Sequence, residues 1–243
     1  MAGGSAHQRP SISSIAGITP CPAGWLVLPA RLSGVTIVTD DPVVLGTLTE
    51  VLDYRPTFDT AVIEVPIGLF DEPAAPYRNC DAAAREMIGW PRSVALFAVP
   101  SRAVLRAPTF EAAQQLEPWI NRGDWRRFKW VREAEAEIQP FHQRHWFSAH
   151  SDLSYVSLNG DEPLVSSPYQ DDGVAERREL LKTRMPGVED VLDRTPPAGA
   201  ARVHLVRAAG LLWTARRAHG RAATRLPVDS DWDSAGLRME LVR

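Results

Sequence analysis

The order of apolar segments in the first quarter of the chain is the feature that most restricts its fold. Turn-forming residues, "PCPAG" and "RLSG", separate three short apolar segments at residues 12–19, 25–30 and 35–39. Short apolar runs bounded by Pro, Gly and Ser are typical of strands, so we predict a meander of three strands. A helical spacing of apolar residues follows over 43–52, with Asp41 as its N-cap, and "TAVIEVP" then reads as a buried strand.

Three strands, a helix and a further strand predict a layered α/β fold. Downstream, a short fifth strand and a turn of helix are expected from residue 146, and residues 93–105 are expected to be an extended connection. Helical patterns cover residues 79–88, 110–120, 125–138, 172–185 and 201–218. We expect a flexible tail at 1–10 and one domain at 11–243, with a helical insertion at about 78–140.

Composition excludes several functional classes. The net charge of -3 argues against a basic surface over the whole protein, although one basic face remains compatible with it. The two cysteines lie far apart without a CxxC pair, so neither a disulfide framework nor a zinc site is indicated. No apolar run approaches the roughly 18 residues of a membrane span, and no secretory signal pattern is present. We therefore expect a cytoplasmic protein without a membrane partner.

Several motifs, in consistent order, resemble one known family. They include "AGITPCPAGW", "VIEVPIGL", "RNCDAAAREMIG", "SAHSDLSYVSLNGDEP", "HLVRAAGLLWTARR" and "DSAGLRMEL". Together they resemble domain-of-unknown-function family 429, a family of predicted RNase H-like nucleases. The resemblance implies a mixed five-stranded sheet, an antiparallel three-strand meander plus two parallel strands, with helices on both faces. It also implies hydrolysis of phosphodiester bonds by two divalent metal ions, Mg²⁺ or Mn²⁺, held by carboxylates.

The acidic positions that the resemblance implies are only partly kept. Thr19 stands where the family has the Asp of its first strand, and Ser148 stands where it has a Glu. In the last helix, His204 and Arg207 replace two acids. A two-metal site needs several negative charges, so these replacements predict an eroded site.

Two carboxylates remain at matching positions, Glu64 at the end of the fourth strand and Asp152 beside His150. They are the remaining candidates for a weak metal site. A one-metal site could use both of them together with His204, and His150 would then be the general base. The alternative is an ion pair, in which Arg207 binds Glu64 or Asp152 and closes the former site.

Arginines are the candidate anion-binding residues. Arg78 and Arg85 share a helix face with Asp81, which fits either a phosphate clamp or an internal salt-bridge ladder. The last helix and its tail carry Arg207, Arg216 and Arg217 in a stretch without acids, which fits either a solvated face or phosphate-backbone contacts.

The sequence therefore favours a catalytically weak or inactive protein that binds nucleic acid or a protein partner. The alternative is an active metal-dependent nuclease with a reduced ligand set. Oligomeric state, substrate and pathway leave no signature in the chain.

Overall fold

The computed structural model describes residues 12–243, so the tail predicted for 1–10 lies outside the described residues. The strands are β1 (Ile12–Cys21), β2 (Gly24–Ser33), β3 (Thr36–Thr39), β4 (Val43–Leu45), β5 (Thr60–Ile63), β6 (Trp146–Ser148), β7 (Arg225–Trp232) and β8 (Arg238–Val242). The helices are α1 (Leu48–Leu52), α2 (Asn79–Ile88), α3 (Arg102–Leu105), α4 (Phe110–Leu116), α5 (Arg122–Glu137), α6 (Ser151–Leu158), α7 (Asp171–Arg184) and α8 (Arg202–His219). Short 3₁₀ turns occupy Arg92–Ala95, His142–Arg144 and Glu189–Asp193.

The main sheet has the strand order β3-β2-β1-β5-β6. The first three strands pair antiparallel, whereas β5 runs parallel to β1 and β6 runs parallel to β5. This confirms the predicted mixed α/β fold, a meander extended by two parallel strands. The sheet has six strands rather than five, because β4 also pairs with β2, on the same edge as β3.

Helices cover both faces of the sheet, as predicted. Helix α8 packs against β1, β2 and β5 on one face, in a core that includes Ile15 and Val62. The opposite face, with Ile18 and Ile63, packs against α1 and α5. Successive strand residues alternate between these two cores because side chains of a strand point to opposite faces.

Gly17 lets α8 approach β1 closely. A Cβ atom at this position would collide with the carbonyl oxygen of Ala208 and lie 2.5 Å from the backbone nitrogen of Leu212. The absence of a side chain at Gly17 therefore sets the depth of α8, and with it the position of the side chains at the amino end of this helix.

The predicted helix at 43–52 is wrong in its first half. Val43–Leu45 form β4, and α1 begins at Leu48 with Thr47, not Asp41, as its N-cap. Thr47 Oγ1 accepts a hydrogen bond from the backbone of Glu50 at 3.3 Å. Pairing with β2 overrides the helical spacing of the sequence, because β-branched valines fit a strand well.

The extended connection predicted for 93–105 is also only partly correct. It contains most of the 3₁₀ turn at Arg92–Ala95 and all of helix α3. Ser101 begins α3, since its hydroxyl accepts from the backbone nitrogen of Val104 at 3.3 Å. The predicted helices near 79–88 and 201–218 are confirmed as α2 and α8.

The other elements complete the molecule around the sheet. Helices α2 to α5 lie between β5 and β6 in the chain, the region predicted as a helical insertion. After α8 the chain ends in an antiparallel hairpin, β7 and β8, which forms a second sheet. Within residues 12–243, no helix combines the length and apolar character that a membrane crossing requires.

Candidate functional site

A cleft of about 400 Å³ lies where β1, β5 and β6 end. These strands run parallel to one another, so their carboxyl ends share one edge of the sheet, the usual ligand-binding edge of an open α/β sheet. Seven of the predicted site residues, from four separate parts of the chain, line the cleft: Glu64, Arg78, Ser148, His150, Asp152, His204 and Arg207. The fold therefore brings the predicted candidates together.

Glu64 is buried, and both oxygens of its carboxylate have partners. Oε1 accepts from the backbone nitrogen of Ser151 at 2.9 Å and from its hydroxyl at 2.6 Å. Oε2 accepts from the Thr19 hydroxyl at 2.6 Å and lies 2.9 Å from Arg207 Nε. Thr19, at the position of an expected metal ligand, is thus a hydrogen-bond donor to Glu64.

Arg207 keeps Glu64 ionised inside the protein. Burial alone would raise the pKa of Glu64, but Arg207, assisted by His150, Ser151 and Thr19, lowers it to about 2. In return, Glu64 raises the pKa of Arg207 although burial opposes this. The ion pair considered as an alternative from the sequence is therefore present.

Asp152 is also buried and paired with two arginines. Its Oδ1 lies 3.0 Å from Arg177 Nη2, and its Oδ2 lies 2.8 Å from Arg92 Nη2. Arg177 is fully buried and also donates to the carbonyl oxygens of Ser166 and Gly173 at 3.1 and 3.0 Å. Asp152 thus joins α6 to α7 and to the 3₁₀ turn at Arg92–Ala95.

The two histidines of the cleft both accept a backbone hydrogen bond at Nδ1. His150 Nδ1 accepts from the backbone of Asp152 at 3.2 Å, and His204 Nδ1 accepts from the backbone of Ala201 at 2.9 Å. A neutral ring that accepts at Nδ1 carries its proton at Nε2. While these bonds hold, neither Nε2 can take a proton from a substrate, as a general base must. Burial and Arg207 also lower the pKa of His204, which favours its neutral form.

Ser148, at another expected acidic position, is buried at the end of β6. Its hydroxyl donates to the carbonyl oxygen of Val65 at 2.6 Å. This bond ties β6 to the segment after β5, so the side chain contributes to the structure of the edge.

The residues present do not fit the pair of divalent ions that the resemblance implies. Mg²⁺ and Mn²⁺ need several oxygen ligands with free lone pairs. The carboxylate oxygens of Glu64 and Asp152 already contact arginines and other hydrogen-bond donors. Within residues 12–243 there is also no cluster of three or more His, Cys, Asp or Glu residues suited to a metal. Arg207 places a permanent positive charge beside Glu64, at a position where the family resemblance implies an acid.

Arginines and aromatic rings also line the cleft, among apolar residues such as Val65, Leu96 and Val99. Arg92, Arg126 and Arg127 line it, as do Phe97 and Trp130. Arg126 and Arg127 are exposed and come from the first turns of α5. Trp125 and Phe128 of the same helix pack against each other with ring centroids 5.8 Å apart and belong to the core.

Arg78 and Arg85 have protein partners. Buried Arg78 pairs with Asp81, with Nε 2.7 Å from Oδ2, and donates to the carbonyl oxygens of Ile67 and Gly68 at 2.7 Å. Arg85 donates to the carbonyl oxygens of Ser93 and Leu96 at 2.6 and 2.7 Å. Arg78 lines the cleft, yet its donors stabilise the loop after β5, in agreement with the internal-pair alternative.

Arg216 and Arg217 lie in the last turn of α8, away from the cleft. Arg216 donates to the carbonyl oxygen of Val35 at 3.1 Å. Arg217 donates to the carbonyl oxygen of Ala222 at 2.6 Å and lies over the ring of Trp213. The structure does not join them to the group around Glu64, so their role in nucleic-acid binding stays a prediction.

Sequence reasoning missed Arg92 and Arg177, the two partners of Asp152. They lie 60 and 25 positions from Asp152 in the chain. Neither stands in a recognisable motif. Only the packing of α6 against α7 and the path of the chain after α2 bring them to this carboxylate.

Fold and cleft together define a mixed α/β protein with an arginine-rich cleft at the carboxyl edge of its sheet. Over residues 17–231 the chain matches the family described as "Protein of unknown function (DUF429)". The protein therefore belongs to this family, which is the one that its motifs resemble. No curated protein and no solved structure matches the chain.

Proposed function

We propose that this DUF429 protein has an RNase H-like fold and binds the phosphate groups of nucleic acid in its cleft without cleaving them. The observation that supports this most directly is the pairing of both remaining carboxylates with arginines, Glu64 with Arg207 and Asp152 with Arg92 and Arg177. The strand order agrees with the RNase H-like sheet that the resemblance implies.

The chemistry of the cleft suits an anion better than a cation. Arg207 contacts Glu64 through Nε, and within residues 12–243 neither of its Nη atoms has a hydrogen-bond acceptor. His150 and His204 carry their protons at Nε2 and line the same cleft. These groups are donors, and guanidinium groups match the geometry of phosphate oxygens.

The aromatic and cationic walls favour nucleic acid as the source of the phosphate. Proteins that bind single strands combine a positively charged groove with aromatic rings on which bases stack. Here Arg126 and Arg127 supply exposed charge, and Phe97 and Trp130 supply rings in the same cleft. We further propose a cytoplasmic location, because both cysteines of the chain are free thiols.

The test is binding of a labelled single-stranded oligonucleotide, measured by fluorescence anisotropy in EDTA at several salt concentrations. We expect EDTA-resistant binding that weakens steeply with salt. Arg126→Gln should reduce the salt slope by about 0.7 if it removes one phosphate contact. Arg202→Gln is the matched control, since Arg202 is on α8 and pairs with fully exposed Asp171 outside the cleft.

Other results would support other functions. Cleavage of the oligonucleotide that requires Mn²⁺ and disappears in Glu64→Gln would support the nuclease alternative and contradict the proposal. Absence of binding to single strands, duplexes and hybrids would leave a protein partner as the ligand of the cleft. An equal loss of oligonucleotide affinity in Arg126→Gln and Arg202→Gln would show that the binding surface lies outside the cleft.

A further inference from the structure

A second cavity, of about 550 Å³, lies at the opposite edge of the sheet. It is formed where β5 and β6 begin, and the carboxyl end of α8 and the start of β7 complete it. His219 in this cavity and Arg207 in the cleft are 12 positions apart on α8, which corresponds to about 18 Å along the helix. The two cavities are therefore separate sites.

Cationic side chains from three segments line this second cavity. Arg144 precedes β6, Arg221 follows α8, and Arg225 begins β7. Asp59 is the one acidic residue of the lining, and its Oδ2 already accepts from the backbone of Ser14 at 2.9 Å. Arg225 pairs with Glu240, whereas the side chains of Arg144 and Arg221 make no ion pair or hydrogen bond within residues 12–243.

Two histidines add further polar groups to the lining. His145 Nδ1 lies 3.0 Å from the carbonyl oxygen of Asp59, which can only accept, so Nδ1 is a donor. His219 Nδ1 lies 3.2 Å from the Thr60 hydroxyl, which donates to the carbonyl oxygen of Asp59 and so accepts from His219. Each ring thus uses Nδ1 as a donor within the protein, and its Nε2 makes no hydrogen bond within residues 12–243.

The backbone of Arg221 has an unfavourable conformation. Its φ is 56°, in the left-handed region, directly after α8. Glycine is the usual residue at such a position, because a Cβ atom there lies too close to the neighbouring carbonyl oxygen. A strained non-glycine residue beside a cavity is a reason to look for function there.

We propose that this second cavity binds a small anion with more than one phosphoryl group. Three guanidinium groups from separate segments can donate hydrogen bonds to such a ligand. They belong to Arg144 and Arg221, whose side chains have no partner within residues 12–243, and to Arg225, which lines the same cavity. The volume exceeds that of a single phosphate, and cavities of roughly 300 to 1,000 Å³ are typical of small-molecule sites. The strain at Arg221 is then retained because its side chain contacts the ligand.

Inorganic pyrophosphate, titrated into the full-length protein by calorimetry, is the probe. We expect binding that weakens at least tenfold in both Arg144→Gln and Arg221→Gly. Because glycine relieves the left-handed strain, Arg221→Gly should also raise Tm by about 2 to 4 °C, whereas Arg221→Gln should lose binding without that gain. Arg122→Gln, a change of equal charge at an exposed position of α5, is the control and should bind as the unaltered protein does.

Three results would overturn the proposal. One is the absence of pyrophosphate binding at millimolar concentration. Another is binding that survives Arg144→Gln and Arg221→Gly but is lost in Arg207→Gln, which would assign the anion to the cleft. The third is a loss of oligonucleotide binding in these two variants when pyrophosphate does not bind to the unaltered protein. This result would show that the cavity contacts nucleic acid instead of a small anion.

Discussion

Replacing Arg207 by Met tests whether an arginine, rather than a metal ion, neutralises Glu64. The substitution keeps much of the side-chain volume and removes the charge 2.9 Å from Glu64 Oε2. The carboxylate would then be buried with hydrogen bonds from Thr19 and Ser151 but without its nearest cation. We therefore expect both a loss of stability and a higher pKa for Glu64.

The magnitude follows from the pKa of Glu64. The shift from 4.5 to about 2 corresponds to about 3 kcal/mol, since one pKa unit is about 1.4 kcal/mol. Removing one partner of a buried pair typically costs about 3 to 5 kcal/mol. Because the Arg207 side chain is 24% exposed, solvent screening reduces the expected loss to about 2 to 3 kcal/mol at pH 7.

The sign of the pH dependence is defined by the direction of the shift. In the unaltered protein the pKa of Glu64 is lowered, so its contribution is complete above about pH 4.5 and is lost as the pH falls toward 2. In Arg207→Met, burial raises this pKa, so the carboxylate destabilises the protein at pH 7 and is protonated on acidification. The difference between the two proteins should therefore be smaller at pH 4 than at pH 7.

Urea unfolding at pH 7 and pH 4 measures both effects. Arg202→Met is the control on the same helix, and because its partner Asp171 is fully exposed it should cost less than about 1 kcal/mol. Glu64→Gln/Arg207→Met removes both charges and should recover part of the loss. A loss below about 1 kcal/mol at pH 7, or an equal loss at both pH values, would refute the reasoning.

Three further predictions concern the same edge of the sheet and its support. Thr19→Asp should lower Tm, because it puts a second buried carboxylate beside Glu64. It should not create a Mn²⁺ site, because Glu64 is already paired with Arg207, and Mn²⁺ binding measured by calorimetry would contradict this prediction. Arg78→Lys should cost about 3 kcal/mol in urea unfolding, because lysine cannot hold Asp81 and two carbonyl groups at once; a loss below about 1 kcal/mol would contradict it. Gly17→Ala should cost about 1 to 3 kcal/mol by displacing α8, and unchanged stability would show that the helix adjusts freely.

Local patterns were sufficient for most of the fold. The three apolar segments that "PCPAG" and "RLSG" separate predicted the meander, and the helical spacing near 201–218 predicted α8. Both predictions succeeded because these elements are formed mainly by neighbours in sequence. The helix predicted from residue 43 failed where a contact distant in sequence decided the structure. Val43–Leu45 pair with β2, and no local pattern contains that partner.

The candidate site, too, could be predicted only in part from the sequence. The resemblance assigned Thr19, Glu64, Ser148, Asp152 and Arg207 to the positions of one acidic metal site, and it left open whether Arg207 would pair with Glu64 or with Asp152. The sequence thus determined which side chains are present there, and the resemblance implies that some of them replace acids.

Only the tertiary structure decided how those side chains are used. Arg207 pairs with Glu64, while Asp152 pairs with Arg92 and Arg177, which no motif connected to it. Ion pairs of this kind depend on the packing of helices far apart in sequence. The physical reason is that a buried charge is neutralised by whichever opposite charge the fold brings within a few ångströms, and that distance is a property of the folded chain.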